Sequence, residues 1–151
     1  MIAKDEIKKL KRCGNYIINL ENHNQGGSHW TALIMSKKNC LYCDSFGMPP
    51  PELLYLFLEK KYKKVDFNRR EIQDMDSTLC GYFCLEFFKF MKERPAGTLV
   101  NNLQIFQSQF SENTKENDNI LAKLFYLELI KSTKQKKKCQ AHQLFSNIPL
   151  L

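Results

Sequence analysis

A cysteine that follows a polar, turn-prone run and opens a long apolar segment is a thiol mounted at the start of a buried helix. In this chain Asp74, Asp76, Ser77 and Thr78 lead to Cys80-Gly81, and an almost unbroken apolar and aromatic stretch runs from Tyr82 to Met91. Unpaired backbone N–H groups and the positive end of the helix dipole favour a thiolate at such a position. Cys80 is therefore the candidate nucleophile. A thiol nucleophile needs a base, and usually a third group that holds the base in its working tautomer. Of the three histidines, His23 lies in a polar loop and His142 in the C-terminal tail. His29 stands between Gly26-Gly27 and the only tryptophan, Trp30, at the mouth of an apolar strand. Alone, a histidine there is more often structural; paired with Cys80 it is the best base.

The elements that must bring these groups together follow from pattern and punctuation. Trp30–Met35 and Cys40–Cys43 read as strands, and Lys37-Lys38-Asn39 as the hairpin turn between them. The far end of the second strand then lies beside the start of the first, which brings Asp44 next to His29. Asp66, Asp74 and Asp76 compete as the orienting acid, but no local argument carries them to His29. Acyl transfer also needs donors aimed at the developing oxyanion. The backbone N–H of Cys80 is one, and Gln73, in the loop leading to the nucleophile, is the natural side-chain partner.

Around this core the pattern predicts an amphipathic helix over 2–12 ending at Gly14, and a buried strand over Tyr16–Leu20. A helix is expected over Glu52–Lys61, with Leu53, Leu54, Phe57 and Leu58 buried, and a fourth strand over Val65–Asn68. Ile72-Gln73 reads either as more sheet or as the approach to the nucleophile. After the helix that begins at Cys80 and ends near Lys92, Thr98 caps a helix over roughly 99–110. Asn117 or Asp118 caps a last helix over roughly 119–131, followed by a basic run, Lys134–Lys138. The expected fold class is α+β: one domain over residues 1–151, with a small central mixed or antiparallel sheet flanked by helices, and a basic tail from about 132.

Composition bounds the rest. A chain of 151 residues with 43% hydrophobic and 12% aromatic residues buries a sizeable core. No apolar run reaches the roughly 18 residues of a membrane span, and the N-terminus lacks a signal-peptide core. Six cysteines without a secretion signal are best read as reduced thiols. Cys40 and Cys43 have metal-like spacing, but on a strand they face opposite ways, and no second Cys/His pair completes a site. No metal and no cofactor are expected. Cys84, one turn beyond Cys80, reads as a small core residue. The net charge of +7 favours contact with polyanions such as nucleic acid, as a field effect.

The order of motifs resembles a known family. Gly26-Gly27-Ser28-His29-Trp30, then Tyr42-Cys43-Asp44-Ser45-Phe46-Gly47, then Gln73 seven positions before Cys80-Gly81-Tyr82-Phe83-Cys84, is similar to the adenovirus protease (adenain) family. That family belongs to the clan of SUMO- and ubiquitin-like-specific proteases. The resemblance covers roughly residues 15–92. It implies His29 as base, Asp44 as its orienter, Gln73 as oxyanion donor and Cys80 as nucleophile. Trp30, with Gly27 and Ser28, becomes a candidate substrate-binding residue in a narrow channel that favours small residues, often glycine, before the scissile bond. Asp44 departs from the glutamate that adenain-like enzymes often carry, and the last 50 or so residues offer no family landmark.

The expectation is a cysteine endopeptidase that cleaves capsid or polyprotein precursors of a virus or virus-like element. Its place would be the intracellular compartment of virus assembly or the virion, not a membrane or the exterior. Contact with DNA through the basic surface is a further partner that the charge suggests, and an activating peptide one that the resemblance suggests. Two other readings stay open: an isopeptidase acting on ubiquitin-like conjugates, and a non-catalytic nucleic-acid or scaffold-binding protein.

Overall fold

Five strands in sequence order form the sheet on which everything else is hung: β1 (Ile2–Ala3), β2 (Gly14–Asn19), β3 (Trp30–Met35), β4 (Cys40–Cys43) and β5 (Val65–Phe67). They belong to a computed structural model that describes residues 1–94 and 96–125. The two outer pairings, β1 with β2 and β4 with β5, are parallel, and the two inner ones are antiparallel. The sheet is mixed and the class is α+β, as the alternation of short apolar strands with helical periods predicts. Met1–Asp118 forms one compact unit. A second begins at Asn119, and its described residues, 119–125, are helical. The remainder of the expected last helix and the Lys134–Lys138 run lie outside the described residues.

Side-chain alternation gives the sheet two apolar faces. On one, Leu33, Met35, Cys40 and Tyr42 pack with Leu54 and Leu58 of α1 (Glu52–Glu59) and with Leu10 beyond a 3-10 helix, Lys4–Lys9. On the other lie α2 (Cys80–Glu93) and α3 (Leu99–Gln107). Phe83, Phe87 and Phe90 recur at helical spacing along α2 and are buried, while Tyr82 and Leu85 stay exposed. Phe106 of α3 meets Phe87 and Phe90 at ring separations of 5.3 and 5.5 Å. Each fully buried phenylalanine of this kind stabilises the fold by about 2–3 kcal/mol. α2 ends at Glu93, with Arg94 as its non-helical cap, because the proline next in sequence disfavours helical backbone at the residue before it. Thr98 caps α3 as expected, its side chain accepting from Asn101 N at 3.1 Å.

Several expectations need correction. Residues 2–12 do not form one helix: Ile2 and Ala3 pair with Ile18 and Asn19, and Gly14 opens β2 instead of ending a helix. Edge pairing of the first residues, a long-range effect, outweighs a local period. Leu53 is 74% exposed, because α1 turns only Leu54 and Leu58 fully to the sheet. Ile72-Gln73 is not strand. The last helix starts at residue 114, before the expected cap, and Asn117 is a buried brace that bonds Ile72 O at 2.9 Å and Ser111 N at 2.7 Å. Among the described residues, no helix is long and apolar enough to cross a membrane.

Candidate active site

The hairpin register decides the geometry. Ala32 lies opposite Cys43 and Met35 opposite Cys40, so His29, just before β3, and Asp44, just after β4, emerge at the same end of the sheet. His29 Nε2 donates to Asp44 Oδ1 at 2.8 Å. Asp44 is 1% exposed. Its carboxylate also accepts the Phe46 N–H at 2.8 Å, and Asn68 brackets its backbone, accepting from Asp44 N at 2.8 Å and donating to Asp44 O at 2.6 Å. The Phe46 ring stacks on His29 with centroids 4.5 Å apart. Gly47 closes this turn at φ +73; a Cβ there would stand 2.9 Å from the backbone of Arg70. Two of the three competing acids are engaged elsewhere: Asp66 pairs with Lys64 at 2.6 Å, and Asp74 holds the turn to Ser77.

Cys80 is the first residue of α2, buried, with its thiol against the imidazole. With Nε2 committed to Asp44, the nitrogen left to face the thiol is the buried Nδ1, which has no well-directed hydrogen-bond partner. The contact is close enough for each group to act on the other's titration. Burial works against a charged His29, but the Asp44 hydrogen bond and the facing thiol outweigh it, and its pKa rises from 6.5 to about 9. Burial likewise works against the Cys80 thiolate. The imidazole and the backbone N–H groups of Trp30 and Gly81 overcome it, so the thiol titrates below its ordinary value.

The other buried thiols go the opposite way. Cys40 is pushed up to about 12 by burial, and Cys43 and Cys84 are also raised by it. Cys84, one helical turn from Cys80, donates to Trp30 O at 3.4 Å and is packed in the core. Burial is common to all four, so what separates Cys80 is its place at the helix start against a histidine.

Gln73 is fully buried, with both ends of its amide engaged. Its Nε2 donates to Ser77 O at 2.8 Å, and its Oε1 accepts from Ser45 Oγ at 2.5 Å. One amide N–H remains for another acceptor. Backbone bonds from Ile72 N and Gln73 N to Ser45 O, at 2.8 and 3.1 Å, clamp this segment to the turn that carries Asp44. The dipeptide Asp44-Ser45 thus fixes the imidazole with one side chain and the amide with the next.

Trp30, Gly81, Tyr82, Leu85, Ile17 and Thr78 line an open, mainly apolar pocket of about 350 Å3 beside Cys80. Gly27 sits under the indole at φ +83, where a Cβ would come within 2.9 Å of the ring. Ser28 is exposed, with no hydrogen bond of its side chain among the described residues. The structure therefore brings His29, Asp44 and Cys80 into one cluster, with Gln73 tied to it through Ser45, and puts Trp30 and Gly27 at its edge. Sequence reasoning missed Phe46, Asn68 and the side-chain role of Ser45. The aromatic two residues after Asp44 was a signal for the first. Asn68 had none, because the parallel β4–β5 register that delivers it is a long-range pairing.

No family model matches the chain. The structure is similar to the crystal structure of an ASFV protease, with a TM-score of 0.46 and 16% identity over 73% of this chain and 41% of that one. The sequence is 31% identical over 109 residues, 62% of this chain, to a protein of Acanthamoeba polyphaga mimivirus, and spans 36% of that protein's length. The name of that protein is "Putative thiol protease", so what this chain resembles in sequence carries, by name, the chemistry that the Cys80–His29–Asp44 cluster suits.

Proposed function

We propose that the chain is a cysteine endopeptidase in which Cys80 attacks a peptide carbonyl. His29, as the imidazolium of an ion pair, protonates the leaving amine and then, as a neutral base, activates the water that hydrolyses the acyl-enzyme. Asp44 orients and charges the ring. Gln73 and the Cys80 N–H receive the oxyanion. The observation that supports this most is the Cys80 thiol set against a histidine whose other nitrogen is held by a buried carboxylate at 2.8 Å. Our reading of the substrate is a capsid or polyprotein precursor in a virus assembly compartment, cut after small residues. The resemblance of the motifs and the viral relative support it. An activating peptide belongs to the same reading.

The test is labelling with a glycine-terminated peptide electrophile, followed by mass spectrometry. Cys80 is expected to be modified first and His29→Ala to slow the reaction. Preferential modification of exposed Cys13, or labelling indifferent to His29, would remove the mechanism. Peptides with glycine and with leucine before the scissile bond then test the small-residue preference separately.

Ser45 yields a finer expectation. With Ser77 O taking a donor and Ser45 Oγ–H giving one, the Gln73 amide has one favourable orientation, N–H groups toward the nucleophile loop. Ser45→Ala should lower kcat roughly tenfold with little change in KM, as loss of a transition-state donor does. In a Gln73→Ala background the same change should add nothing. Equal losses in the two backgrounds would mean that Ser45 acts by another route.

A further inference from the structure

The loop that leads to Cys80 is braced by residues that come well after it in the chain. Beyond α3 a helix begins at residue 114, and its positions 114, 117 and 118 share one face, being three and four residues apart. Each bonds a different part of the loop. Asn117 Nδ2 donates to Ile72 O at 2.9 Å, where the loop starts. Thr114 Oγ1 donates to Asp74 Oδ2 at 3.4 Å, at the turn. Asp118 Oδ1 accepts from Ser77 Oγ at 2.9 Å, just before the nucleophile.

The third bond differs from the other two in what stands behind it. A serine hydroxyl has one proton to give and two lone pairs that receive. A carboxylate oxygen only accepts, so the Ser77 proton is committed to Asp118 and the lone pairs are left for the loop. One of them takes the Leu79 N–H at 3.3 Å. The carbonyl of the same serine takes an N–H of the Gln73 amide at 2.8 Å. Ser77 therefore acts on both candidate oxyanion donors: the Gln73 amide directly, and the Cys80 N–H through the residue before it.

Leu79 carries that second route. It is the N-cap of α2, at φ −93 and ψ 14, in the sparsely populated bridge between helical and extended backbone. Its ψ sets the plane of the peptide that holds the Cys80 N–H, and so the direction in which that N–H points. The Leu79 carbonyl is fixed by Tyr82 N and Phe83 N at 2.9 and 3.0 Å, and its N–H is fixed by Ser77 Oγ. The Cys80 N–H itself, in the first turn of a helix, has no intrahelical acceptor and is open to an oxyanion.

We propose that Asp118 is a positioning residue for acyl transfer: by holding the Ser77 hydroxyl it aligns the Gln73 amide and the Cys80 N–H on one oxyanion. The inference rests on the proteolytic reading and adds to it a residue outside the stretch, roughly 15–92, that carries the motif resemblance. Ser77 and Leu79 stand between Asp118 and the thiol, so Asp118 acts on the oxyanion and not on the thiolate.

Two reactions of Cys80 separate those roles. In alkylation by iodoacetamide the thiolate forms an S–C bond as iodide leaves, and no oxyanion arises. Peptide cleavage passes through one. The test runs both on the wild type and on variants of Asp118, Ser77 and Thr114, with a peptide that has glycine before the scissile bond. Asp118→Ala should lower kcat roughly tenfold, with KM and the pH profile of alkylation within about twofold of the wild type. Asp118→Asn keeps an acceptor for Ser77 Oγ without the charge, and should restore kcat to within about threefold. Ser77→Ala should match Asp118→Ala, and the double variant should lose no more than either. Thr114→Val removes the neighbouring bond on the same helix face and should cleave like the wild type. Undiminished cleavage by Asp118→Ala, an equal fall in alkylation and cleavage, failure of asparagine to rescue, or an equal loss in Thr114→Val would each overturn the proposal. A wild type that is alkylated at Cys80 but cleaves no peptide would remove the proteolytic reading, and this inference with it. Should Asp118→Ala lose its cooperative thermal melt, Ser77→Ala against Asp118→Asn carries the same comparison.

Discussion

Cys80→Ala is expected to abolish peptide cleavage, lowering kcat by roughly 10^6-fold, the scale seen when a nucleophile that works as a unit with its base is removed. The fold should survive. The removed sulfur leaves only a small void at the start of α2, and a partly buried charge goes with it, so the melting temperature should move by no more than a few degrees. Cys84→Ala is the matched control. It removes the same atoms one turn along the same helix, from a thiol whose pKa burial raises. It should cost about 1 kcal/mol of stability and leave kcat within about tenfold of the wild type. Activity that survives Cys80→Ala, or that is lost equally with Cys84→Ala, would mean that the helix start is not where the chemistry occurs. Cleavage assays with thermal melts on both variants decide the matter.

The parts of the molecule legible in the sequence are those where cause is local. A hairpin turn of Lys37-Lys38-Asn39 between two apolar runs sets the β3–β4 register, and that register puts His29 beside Asp44. The apolar period after Cys80 gives α2 and its buried face. What failed to show was set by distant partners. Ile2 and Ala3 carry a helical period but are captured by the edge of β2. Leu53 looks buried on a helical wheel, yet α1 meets the sheet through only one of its stripes. Asn68 reads as the end of a strand and Asn117 as a helix cap, yet each is a buried brace with one acceptor far away in the chain, Asp44 O and Ile72 O. The motif resemblance supplied Gln73 a role without supplying Ser45, because a pattern of residue types carries no hydrogen-bond directions.

Asp44→Asn probes the ion pair itself. In the wild type the productive thiolate–imidazolium pair exists above the depressed pKa of Cys80 and below the His29 value of about 9. The two sites titrate as a pair, so kcat/KM should trace a bell whose alkaline limb falls near pH 9. Asparagine keeps an acceptor for the Phe46 N–H but removes the negative charge that raises the His29 pKa. The imidazolium then loses its proton at lower pH. With less positive charge facing it, the Cys80 thiol rises toward its ordinary value. The bell narrows from both sides, and its maximum should drop by roughly 10^2–10^4-fold. Stability follows with a defined sign. A histidine whose folded pKa lies above 6.5 stabilises most fully below that value, and the contribution fades as pH rises through about 9. The stability gap between wild type and Asp44→Asn should therefore be widest near and below pH 6.5 and shrink toward pH 9. An alkaline limb that stays near pH 9 in Asp44→Asn would show that Asp44 does not set the charge on His29, and the 2.8 Å contact would then serve orientation alone.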